Sequence, residues 1–343
     1  MPTNHQIRLA SRPSGLPTPE NWQFTEEPVG DAPEGGVVVQ VLQLSLDPAM
    51  RGWMNDARSY IPPVELGAVM RAGGVGRVLS SRHPGFAPGD AVSGGFGVQE
   101  FATLPADQIR RAGLAKIDLR AGTWSQWLNV LGMPGMTGYF GLLDVGQPKA
   151  GETLVVSGAA GAVGQTVGQL GKIKGLRVVG IAGGPAKCRW VVDELGFDAC
   201  IDYKAGPVRE GLKAHCPKGV DVYFDNVGGE ILDAVLARLA RGARIVICGA
   251  ISQYNNVGAV QGPKNYLSLL VNRARMQGMV VFDYADRYAE AAAEMAQYLR
   301  DGRMKSREDV AAGGIAAFPD ALLKLFNGEN FGKLVLQVAP PAN

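Results

Sequence analysis

The sequence predicts an α/β protein with two domains, a doubly wound parallel sheet and a second, β-rich domain. The first observation is length, because 343 residues exceed what one compact domain usually holds. The second is a series of short strand-like runs, separated by glycine and proline turns, up to about residue 125. The third is the alternation of buried apolar runs with amphipathic segments beyond that point, which is typical of a sheet covered on both faces.

The residues before about 125 read as strands and turns. HPGFAPGDAV (83–92) contains two Pro–Gly turn signals ahead of a strand-like run. Other β-rich runs are VVVQVLQLSL (37–46), VMRAGGVGRVLSS (69–81) and DAVSGGFGVQEFATLP (90–105). Short strands at this spacing predict a rolled or barrel-like β domain.

Beyond residue 125 the pattern predicts a doubly wound sheet. The expected strands are LVVSGA (154–159), RVVGIAG (177–183), ACIDY (199–203), DVYFDNV (221–227), RIVICGA (244–250) and MQGMVVF (276–282). The expected helices are GQTVGQLGKIKG (164–175), AKCRWVVDELG (186–196), GEILDAVLARLARG (229–242) and AEAAAEMAQYLRDGR (289–303). A last strand-like run, KLVLQV (333–338), is expected to return to the first domain and make it discontinuous.

Composition excludes several classes of protein. A net charge of +2 provides no bulk attraction to nucleic acid or anionic membrane. The N-terminus lacks a signal-like apolar stretch, and no apolar run of roughly 20 residues could span a bilayer. A cytoplasmic protein is therefore expected. No pairing of histidine, cysteine and acid has metal-ligand spacing, so neither a metal site nor a disulfide framework is expected. The cysteines and histidines are Cys188, Cys200, Cys216, Cys248, His5, His83 and His215.

A glycine cluster after the first strand of the predicted sheet points to a nucleotide site. Gly158, Gly161 and Gly164 are spaced as GxxGxxG, with Ala162 and Val163 opening the helix. Such a turn lets the backbone approach a pyrophosphate closely, and the N–H groups at the helix start favour an anion. A glycine triplet alone is a weak signal, but here it lies inside a strand–helix–strand unit.

The end of the second strand indicates which nucleotide binds. NAD sites usually carry an acid about 20 residues beyond the glycines. This strand instead ends at Gly183, and Lys187 and Arg189 follow. Small residues leave room for a 2′-phosphate and a cation can bind it, while the hydroxyl of Tyr203 could assist. NADP(H) is the predicted cofactor, although Arg189 is equally well explained as a solvated charge.

These residues resemble the medium-chain dehydrogenase/reductase superfamily, in its zinc-independent branch of double-bond reductases. That branch includes leukotriene B4 dehydrogenase/prostaglandin reductases and bacterial NADPH-dependent curcumin reductases, and the pattern is most similar to the latter. The matching stretches are LSLDPAMRGWM (44–54), YIPPVELGAVMRAGGVGRV (60–78), VLGMPGMTGYFGLLDVGQPKAGETLVVSGAAGAVG (130–164), GGPAKC (183–188), DVYFDNVGGEILDAVL (221–236), RIVICGAISQYN (244–255) and ENFGKLVLQV (329–338). They follow one another in order along nearly the whole chain.

The resemblance implies a GroES-like catalytic domain over 1–127 and 304–343, and a Rossmann NADP(H)-binding domain over 128–303. It implies hydride transfer from NADPH to the β-carbon of an α,β-unsaturated ketone or aldehyde, without a metal. It also implies a homodimer joined through the edge of the Rossmann sheet, with MVVFDY (279–284) as the edge strand.

The resemblance further implies roles for individual residues. The 2′-phosphate ligands would be Lys187 and Tyr203, and Tyr254 would be the tyrosine beside the nicotinamide ribose. The other cofactor contacts would be Asn226, Asn330, Met133, Gly135 and Thr137. An enone that accepts hydride builds negative charge on its carbonyl oxygen. We expect the phenol of Tyr254, with the ribose hydroxyl, to stabilise that charge. A packed tyrosine with a satisfied hydroxyl is the structural alternative.

The expected substrate pocket departs from the family pattern. Close relatives tend to carry SLDPYMRG where this chain has SLDPAMRG, so Ala49 replaces an aromatic residue. Tyr60 is a candidate for the pocket wall and Arg51 for a neighbouring position. A buried Arg51 would need a partner, and Asp47 is the expected one, in a structural or a catalytic pair.

Other functions remain open at this point. A zinc-free NADPH:quinone oxidoreductase would carry a similar glycine turn. A non-catalytic NADPH-binding protein with a structural or regulatory role would need only the cofactor site. A zinc alcohol dehydrogenase is less compatible with the scarcity of metal ligands.

Overall fold

The structure is a computed structural model that describes residues 2–258 and 260–339. The chain divides into two compact units, one of Met1–Leu128 with Glu308–Asn343 and the other of Asn129–Arg307. Met1 and residues 340–343, which belong to the predicted first domain, lie outside the described residues. No helix in the described part of the chain is long and apolar enough to cross a membrane.

The elements are numbered in chain order. The strands are β1 (Thr3–Leu9), β2 (Trp22–Pro28), β3 (Val37–Ser45), β4 (Gly73–Ser81), β5 (Ala91–Gly95), β6 (Phe101–Leu104), β7 (Ala115–Lys116), β8 (Thr153–Ser157), β9 (Arg177–Ala182), β10 (Ala199–Asp202), β11 (Val220–Asp225), β12 (Leu239–Ile247), β13 (Arg275–Gly278), β14 (Glu308–Ala311) and β15 (Lys333–Gln337). The helices are α1 (Ala49–Trp53), α2 (Ala106–Ile109), α3 (Met133–Phe140), α4 (Ala162–Ile173), α5 (Pro185–Asp193), α6 (Val208–His215), α7 (Gly229–Leu236), α8 (Ser268–Asn272), α9 (Tyr288–Arg300) and α10 (Phe318–Asn327).

The first unit is the predicted β-rich domain. Its main sheet has the order β14-β15-β3-β4-β5-β7, with β6 pairing to β3, and β1 and β2 form a separate antiparallel pair. The hydrophobic core of this unit lies between these strands and helix α10. There Trp22 packs edge-on against Phe318, with ring centroids 5.2 Å apart. The predicted strand KLVLQV is confirmed as β15, which pairs antiparallel with β3.

The second unit is the predicted doubly wound domain. Its parallel sheet has the order β10-β9-β8-β11-β12-β13, so the chain builds outward in both directions from β8 and β11. This is the strand order of a sheet assembled from two mononucleotide-binding halves. The central strands β8, β9 and β11 are almost wholly buried, as helices on both faces require.

Two glycines of helix α4 allow close packing against neighbouring side chains. A Cβ at Gly168 would lie 1.8 Å from the ring of Phe197, and one at Gly171 would lie 2.6 Å from Leu154 of β8. Glycine at these positions costs helix propensity. What it permits is close packing of the second half of α4 against Phe197 and Leu154.

Two predicted elements have wrong boundaries. The helix predicted over 229–242 ends at Leu236, and Leu239 instead opens β12 by pairing in parallel register with Val220. The strand predicted over 276–282 ends at Gly278, and Val281–Arg287 is a 3₁₀ helix. The edge strand predicted as MVVFDY is therefore wrong, and β13 forms the edge. In both cases, pairing with the neighbouring strand determines where the strand begins or ends, and it overrides the local sequence preference.

Candidate active site

The chemistry-bearing residues of the second unit follow the carboxyl ends of its strands. Because β8 to β12 are parallel, these ends meet at one edge of the sheet, which is where ligands bind in doubly wound folds. The residues that follow them are Gly158 after β8, Gly183 after β9, Tyr203 after β10, Asn226 after β11 and Tyr254 after β12. The structure therefore brings these predicted residues to one edge.

The glycine turn has the geometry of a phosphate cradle. Gly158 has a φ of +60°, a conformation that favours glycine, and a Cβ at Gly164 would lie 2.2 Å from the carbonyl oxygen of Gly158. Helix α4 begins at Ala162 without a side-chain cap. The N–H groups of Ala162, Val163 and Gly164 precede the first intrahelical bonds. They can therefore donate to an anion, so the turn fits the pyrophosphate of a dinucleotide.

The loop after β9 is shaped by β10. A Cβ at Gly183 would lie only 2.7 Å from the hydroxyl oxygen of Tyr203, so glycine is what lets the phenol reach this loop. Asp202 holds the same loop, because its Oδ1 accepts N–H hydrogen bonds from Gly184 at 2.8 Å and Lys204 at 3.0 Å. The sequence analysis missed Asp202, although an acid directly before Tyr203 at a strand end was visible.

Lys187 lies in the first turn of α5, immediately after this loop, and is half-buried. Arg189, two residues later, is exposed. The loop that follows β9 thus lies beside Lys187, the first-turn N–H groups of α5 and the phenol of Tyr203. The one acid of this loop region is Asp202, and its carboxylate accepts hydrogen bonds from backbone N–H groups. This set fits a 2′-phosphate.

Asp225, also missed by the sequence analysis, organises the end of β11. Its Oδ1 accepts hydrogen bonds from the hydroxyls of Ser157 and Tyr223 at 2.9 and 2.8 Å, and from two N–H groups of the following turn. Asn226 is fixed by the same network, since its side-chain amide donates to the carbonyl of Ser157 at 2.7 Å. Burial, together with the charge of Asp225, holds the pKa of Tyr223 well above its usual value, so this phenol stays a donor.

Tyr254 follows a short 3₁₀ helix, Ile251–Gln253, after β12. Its hydroxyl oxygen accepts the N–H of Ala250 at 3.1 Å, which orients the phenol. A Cβ at Gly249 would lie 2.9 Å from that oxygen and 3.5 Å from the backbone oxygen of Asn226. The Tyr254 hydroxyl is therefore placed between the ends of β11 and β12.

The predicted loop around Met133 forms the start of α3. Gly135 is required there, because a Cβ would lie 1.8 Å from the carbonyl oxygen of Val130. The hydroxyl of Thr137 donates to the carbonyl of Met133 at 2.7 Å, while the Met133 side chain is exposed. Thr137 thus stabilises the first turn of the helix, and the exposed Met133 is the part of the loop that can meet a ligand.

Four predicted site residues belong to the other unit. Asn330 donates its side-chain amide to the carbonyl of Gly332 at 2.9 Å. Tyr60 is exposed, Ala49 opens α1 against the hydrophobic core, and Arg51 is buried. Their roles at a cofactor or substrate stay predictions.

The predicted Asp47–Arg51 pair is wrong. Arg51 is 3% exposed and donates to the carbonyls of Pro13 and Gly15 and to Asn55 Oδ1. Asp47 instead pairs with Lys333, whose Nζ lies 2.7 Å from Asp47 Oδ1 and 2.7 Å from the carbonyl of Leu46. Backbone carbonyls accept the hydrogen bonds of the buried Arg51 guanidinium. The sequence suggests a charged partner for a buried arginine, but it cannot show which carbonyls lie nearby.

Among the described residues, no group of three or more His, Cys, Asp or Glu side chains could hold a metal ion. The independence from zinc that the resemblance implies stays a prediction.

The comparisons with known proteins first define the class. Residues 5–112 match a family model described as the N-terminal domain of oxidoreductases, and residues 162–297 match one described as a zinc-binding dehydrogenase. The two matches fall in the first and the second unit, respectively. The protein is thus an oxidoreductase built on a β-rich unit and a doubly wound unit.

Individual relatives then define the family. The chain is 46% identical over 341 residues to the NADPH-dependent curcumin reductase of Escherichia coli (strain K12), covering 98% of this chain and 97% of the relative. It is 39% identical over 342 residues to the NADP(+)-dependent 2-alkenal reductase of Nicotiana tabacum, covering 98% of each. The crystal structure of CurA from Vibrio vulnificus in complex with NADPH matches with a TM-score of 0.90 and 45% identity, over 98% of this chain and 100% of that one. The chain belongs to the medium-chain dehydrogenase/reductase superfamily, in the branch of the curcumin reductases, which confirms the predicted family.

Proposed function

We propose that the protein uses NADPH to reduce the C=C bond of α,β-unsaturated ketones and aldehydes, with hydride added at the β-carbon and a proton from water at the α-carbon. The observation that carries the proposal is the placement of the Tyr254 hydroxyl. It lies between the ends of β11 and β12, on the sheet edge that also holds the glycine turn, and Ala250 orients it. A proton donor at that edge suits a reaction that builds negative charge on a carbonyl oxygen.

The cofactor is NADP(H). The CurA structure with NADPH, at 45% identity, supports this assignment together with the residues after β9. The N–H groups of 162–164 would bind the pyrophosphate, and Lys187 and Tyr203 the 2′-phosphate. When bound, the nicotinamide supplies the hydride, and the chemistry of transfer is its own.

The residues of the chain supply position and polarity. The N–H of Ala250 donates to the Tyr254 oxygen, which fixes the position of the phenol. In the proposed reaction the phenol O–H donates to the substrate carbonyl. As hydride reaches the β-carbon, that hydrogen bond strengthens with the charge on the oxygen. The Asp225 network holds Asn226 at the neighbouring strand end, where it is available to the cofactor.

The substrate class is supported by the names of two relatives. One is a curcumin reductase and the other a 2-alkenal reductase, and the substrates named share a C=C bond conjugated to a carbonyl. Ala49, in place of the expected aromatic, predicts a preference for substrates that do not depend on stacking a ring at this position.

The Tyr254→Phe variant tests the role of the hydroxyl. We expect kcat/KM with an aliphatic enone to fall by about 10–1,000-fold, with the dissociation constant for NADPH nearly unchanged. Tyr266→Phe, a substitution at an exposed tyrosine, is the matched control. Mass spectrometry should identify the saturated ketone as product. An unchanged kcat/KM in Tyr254→Phe, or an allylic alcohol as product, would contradict the proposal.

We also propose a homodimer joined through β13. In the described part of the chain this strand pairs on one side only, with β12, and an unpaired edge favours association. Helix α8 and the residue before it expose large apolar side chains, among them Leu267, Leu270 and Val271, with Leu270 77% exposed. Exposed apolar surface beside an open edge is typical of an interface.

Sedimentation equilibrium tests the dimer. The wild-type protein should sediment at twice the mass of one chain, and Leu270→Asp should shift it toward the monomer. A monomeric wild type would contradict this proposal without affecting the catalytic one.

A further inference from the structure

Two cysteines of the second unit lie in contact, although 12 positions separate them in sequence. The Sγ atoms of Cys188 and Cys200 are 2.9 Å apart. Cys188 belongs to α5 and Cys200 to β10, so the contact joins a helix to a strand. Both thiols are free and neither residue is fully buried. The fold therefore brings together a pair of thiols that a small reagent can reach.

The pair lies away from the proposed dimer surface. In the described sheet β10 forms one edge and β13 the opposite one. Pairing of two copies through β13 would therefore not involve the two thiols.

The thiol contact runs beside the hydrogen bonds that hold the loop after β9. The N–H of Cys188 donates to the carbonyl of Gly184 at 3.2 Å, and the N–H of Gly184 donates to Asp202 Oδ1 at 2.8 Å. Asp202 lies on β10, two residues after Cys200. The start of α5 and the end of β10 are therefore joined twice, once through this loop and once through the two sulfur atoms.

We propose that Cys188 and Cys200 form a reversible disulfide that lowers the affinity of the protein for NADPH. A disulfide has an S–S distance of about 2.05 Å, so the two sulfur atoms need to approach by about 0.9 Å. This approach draws the start of α5 toward β10. Lys187 directly precedes Cys188 and Tyr203 directly follows β10, so both predicted 2′-phosphate ligands are displaced from their positions in the reduced protein. The effect on NADPH rests on the proposed cofactor site, whereas the disulfide itself does not.

The bond forms by two thiol–disulfide exchanges with a small-molecule disulfide, such as glutathione disulfide. The Cys188 thiolate attacks one sulfur of the reagent, whose S–S bond breaks and releases one glutathione thiolate, which takes up a proton. The Cys200 sulfur then loses its proton, attacks the Cys188 sulfur and releases the second glutathione in the same way. The two protein thiols lose two electrons and two protons, and one glutathione disulfide becomes two molecules of glutathione.

The surroundings of the pair suit a bond that forms slowly and persists until it is reduced. Burial raises the pKa of both thiols above its ordinary value. A protein disulfide is strongly oxidising where the reduced form is stabilised. Because burial disfavours both thiolates here, the disulfide is not easily lost. The same burial keeps the thiolate fraction small, so the exchange needs hours to reach equilibrium.

Peptide mapping in glutathione buffers tests the disulfide. The full-length protein is equilibrated over a range of ratios of glutathione to glutathione disulfide. The reaction is stopped with acid, and free thiols are alkylated before proteolysis and mass spectrometry. We expect one disulfide, between Cys188 and Cys200, with Cys216 and Cys248 alkylated. Cys200→Ser should stop at a glutathione adduct on Cys188, whereas the matched control Cys248→Ser should form the same disulfide as the wild type.

The dissociation constant for NADPH tests the coupling. We expect it to be at least about fivefold higher in the oxidised wild type than in the reduced wild type, as is typical of coupled sites. The double variant Cys188→Ser/Cys200→Ser should bind NADPH equally after either treatment. By linkage, saturating NADPH should shift the equilibrium between dithiol and disulfide toward the dithiol by the same factor.

Two results would overturn the inference. One is the absence of a disulfide between Cys188 and Cys200 in the most oxidising buffer, and the other is equal NADPH affinity of the oxidised and reduced proteins. The peptide mapping uses neither cofactor nor substrate, so its result does not depend on the proposed function. Failure of the reduced protein to bind NADPH would contradict the proposed function and the coupling together, and the mapping would still decide whether the disulfide forms.

Discussion

The hydroxyl of Ser157 donates a hydrogen bond to Oδ1 of Asp225 at 2.9 Å, and this contact joins the carboxyl ends of β8 and β11. The same hydroxyl accepts the N–H of Asn226 at 2.9 Å. Ser157 and Asp225 are almost fully buried, so the hydrogen bond between them is shielded from water. The glycine turn and the turn that bears Asn226 are therefore held in one fixed relationship.

Ser157→Ala should weaken both the fold and the cofactor site. The substitution leaves the N–H of Asn226 without its acceptor and removes one donor from Asp225, at a cost of about 1–3 kcal/mol in the free energy of unfolding. We expect a lower melting temperature and weaker NADPH binding, measured by fluorescence titration. If NADPH affinity matched the wild type, the network would be structural only.

Gly183→Ala should impair NADPH binding through Tyr203. Its added Cβ would lie 2.7 Å from the Tyr203 hydroxyl oxygen and would displace the phenol. We expect KM for NADPH to rise by about tenfold, equivalent to about 1.4 kcal/mol. Gly206→Ala is the control, because a Cβ there would meet nothing within 4 Å. Equal KM values in the two variants would remove Tyr203 from the cofactor site.

Lys187→Gln should lower the preference for NADPH over NADH. Losing a charged hydrogen bond to the 2′-phosphate costs about 1.5–3 kcal/mol, or about 10–100-fold in kcat/KM for NADPH, with little effect on NADH. The control Arg189→Gln removes the same charge two residues away, at an exposed position. If the ratio of kcat/KM for NADPH to kcat/KM for NADH fell equally in both variants, the effect would come from overall charge and not from a contact between Lys187 and the 2′-phosphate.

Lys333→Met should destabilise the protein strongly. Lys333 is 1% exposed, and breaking a buried pair costs about 3–5 kcal/mol because the remaining charge is uncompensated. Adding Asp47→Asn should restore part of the loss. Lys305→Met is the matched control, since the Lys305–Glu194 pair is 55% and 54% exposed and such pairs contribute about 0–1 kcal/mol. Chemical denaturation of the four proteins compares them; equal losses in both single variants would show that burial of the pair is unimportant.

Stability should fall at alkaline pH in part through Cys216. Burial raises the pKa of this thiol from 9.0 to about 11, so the folded state keeps a proton that the unfolded state releases. The resulting stabilisation is complete below pH 9 and is lost as pH rises through about 11, by at most about 1.4 kcal/mol per pH unit. The free-energy difference between wild type and Cys216→Ala should therefore shrink over this range. A constant difference would mean that the thiol does not titrate there.

Most of the fold was predictable because its signals are local. The buried runs around Val155 and Phe224 mark strands by apolar content alone, and Gly158 to Gly164 mark the turn by spacing. The residues at which strands begin and end were harder to predict from the sequence. Leu239 joins a strand rather than extending α7, because it pairs with Val220 across the sheet, and Val220 lies outside the helical pattern predicted over 229–242.

The sequence suggests a candidate site where residue type points to a role, as for Lys187, whose contact with a 2′-phosphate stays a prediction. Its supporting acids were not found, because Asp202 and Asp225 act through backbone N–H groups that converge only in the fold. The partner of Asp47 illustrates the same limit. Lys333 is 286 positions away in sequence, and β15 brings it to β3.

NADPH oxidation with a simple aliphatic enone, repeated with NADH and with a quinone, tests the central claim most directly. The account predicts rapid turnover of the enone with NADPH, much slower turnover with NADH, and a saturated ketone as product. No enone turnover with rapid reduction of the quinone would contradict it and favour an NADPH:quinone oxidoreductase on the same fold.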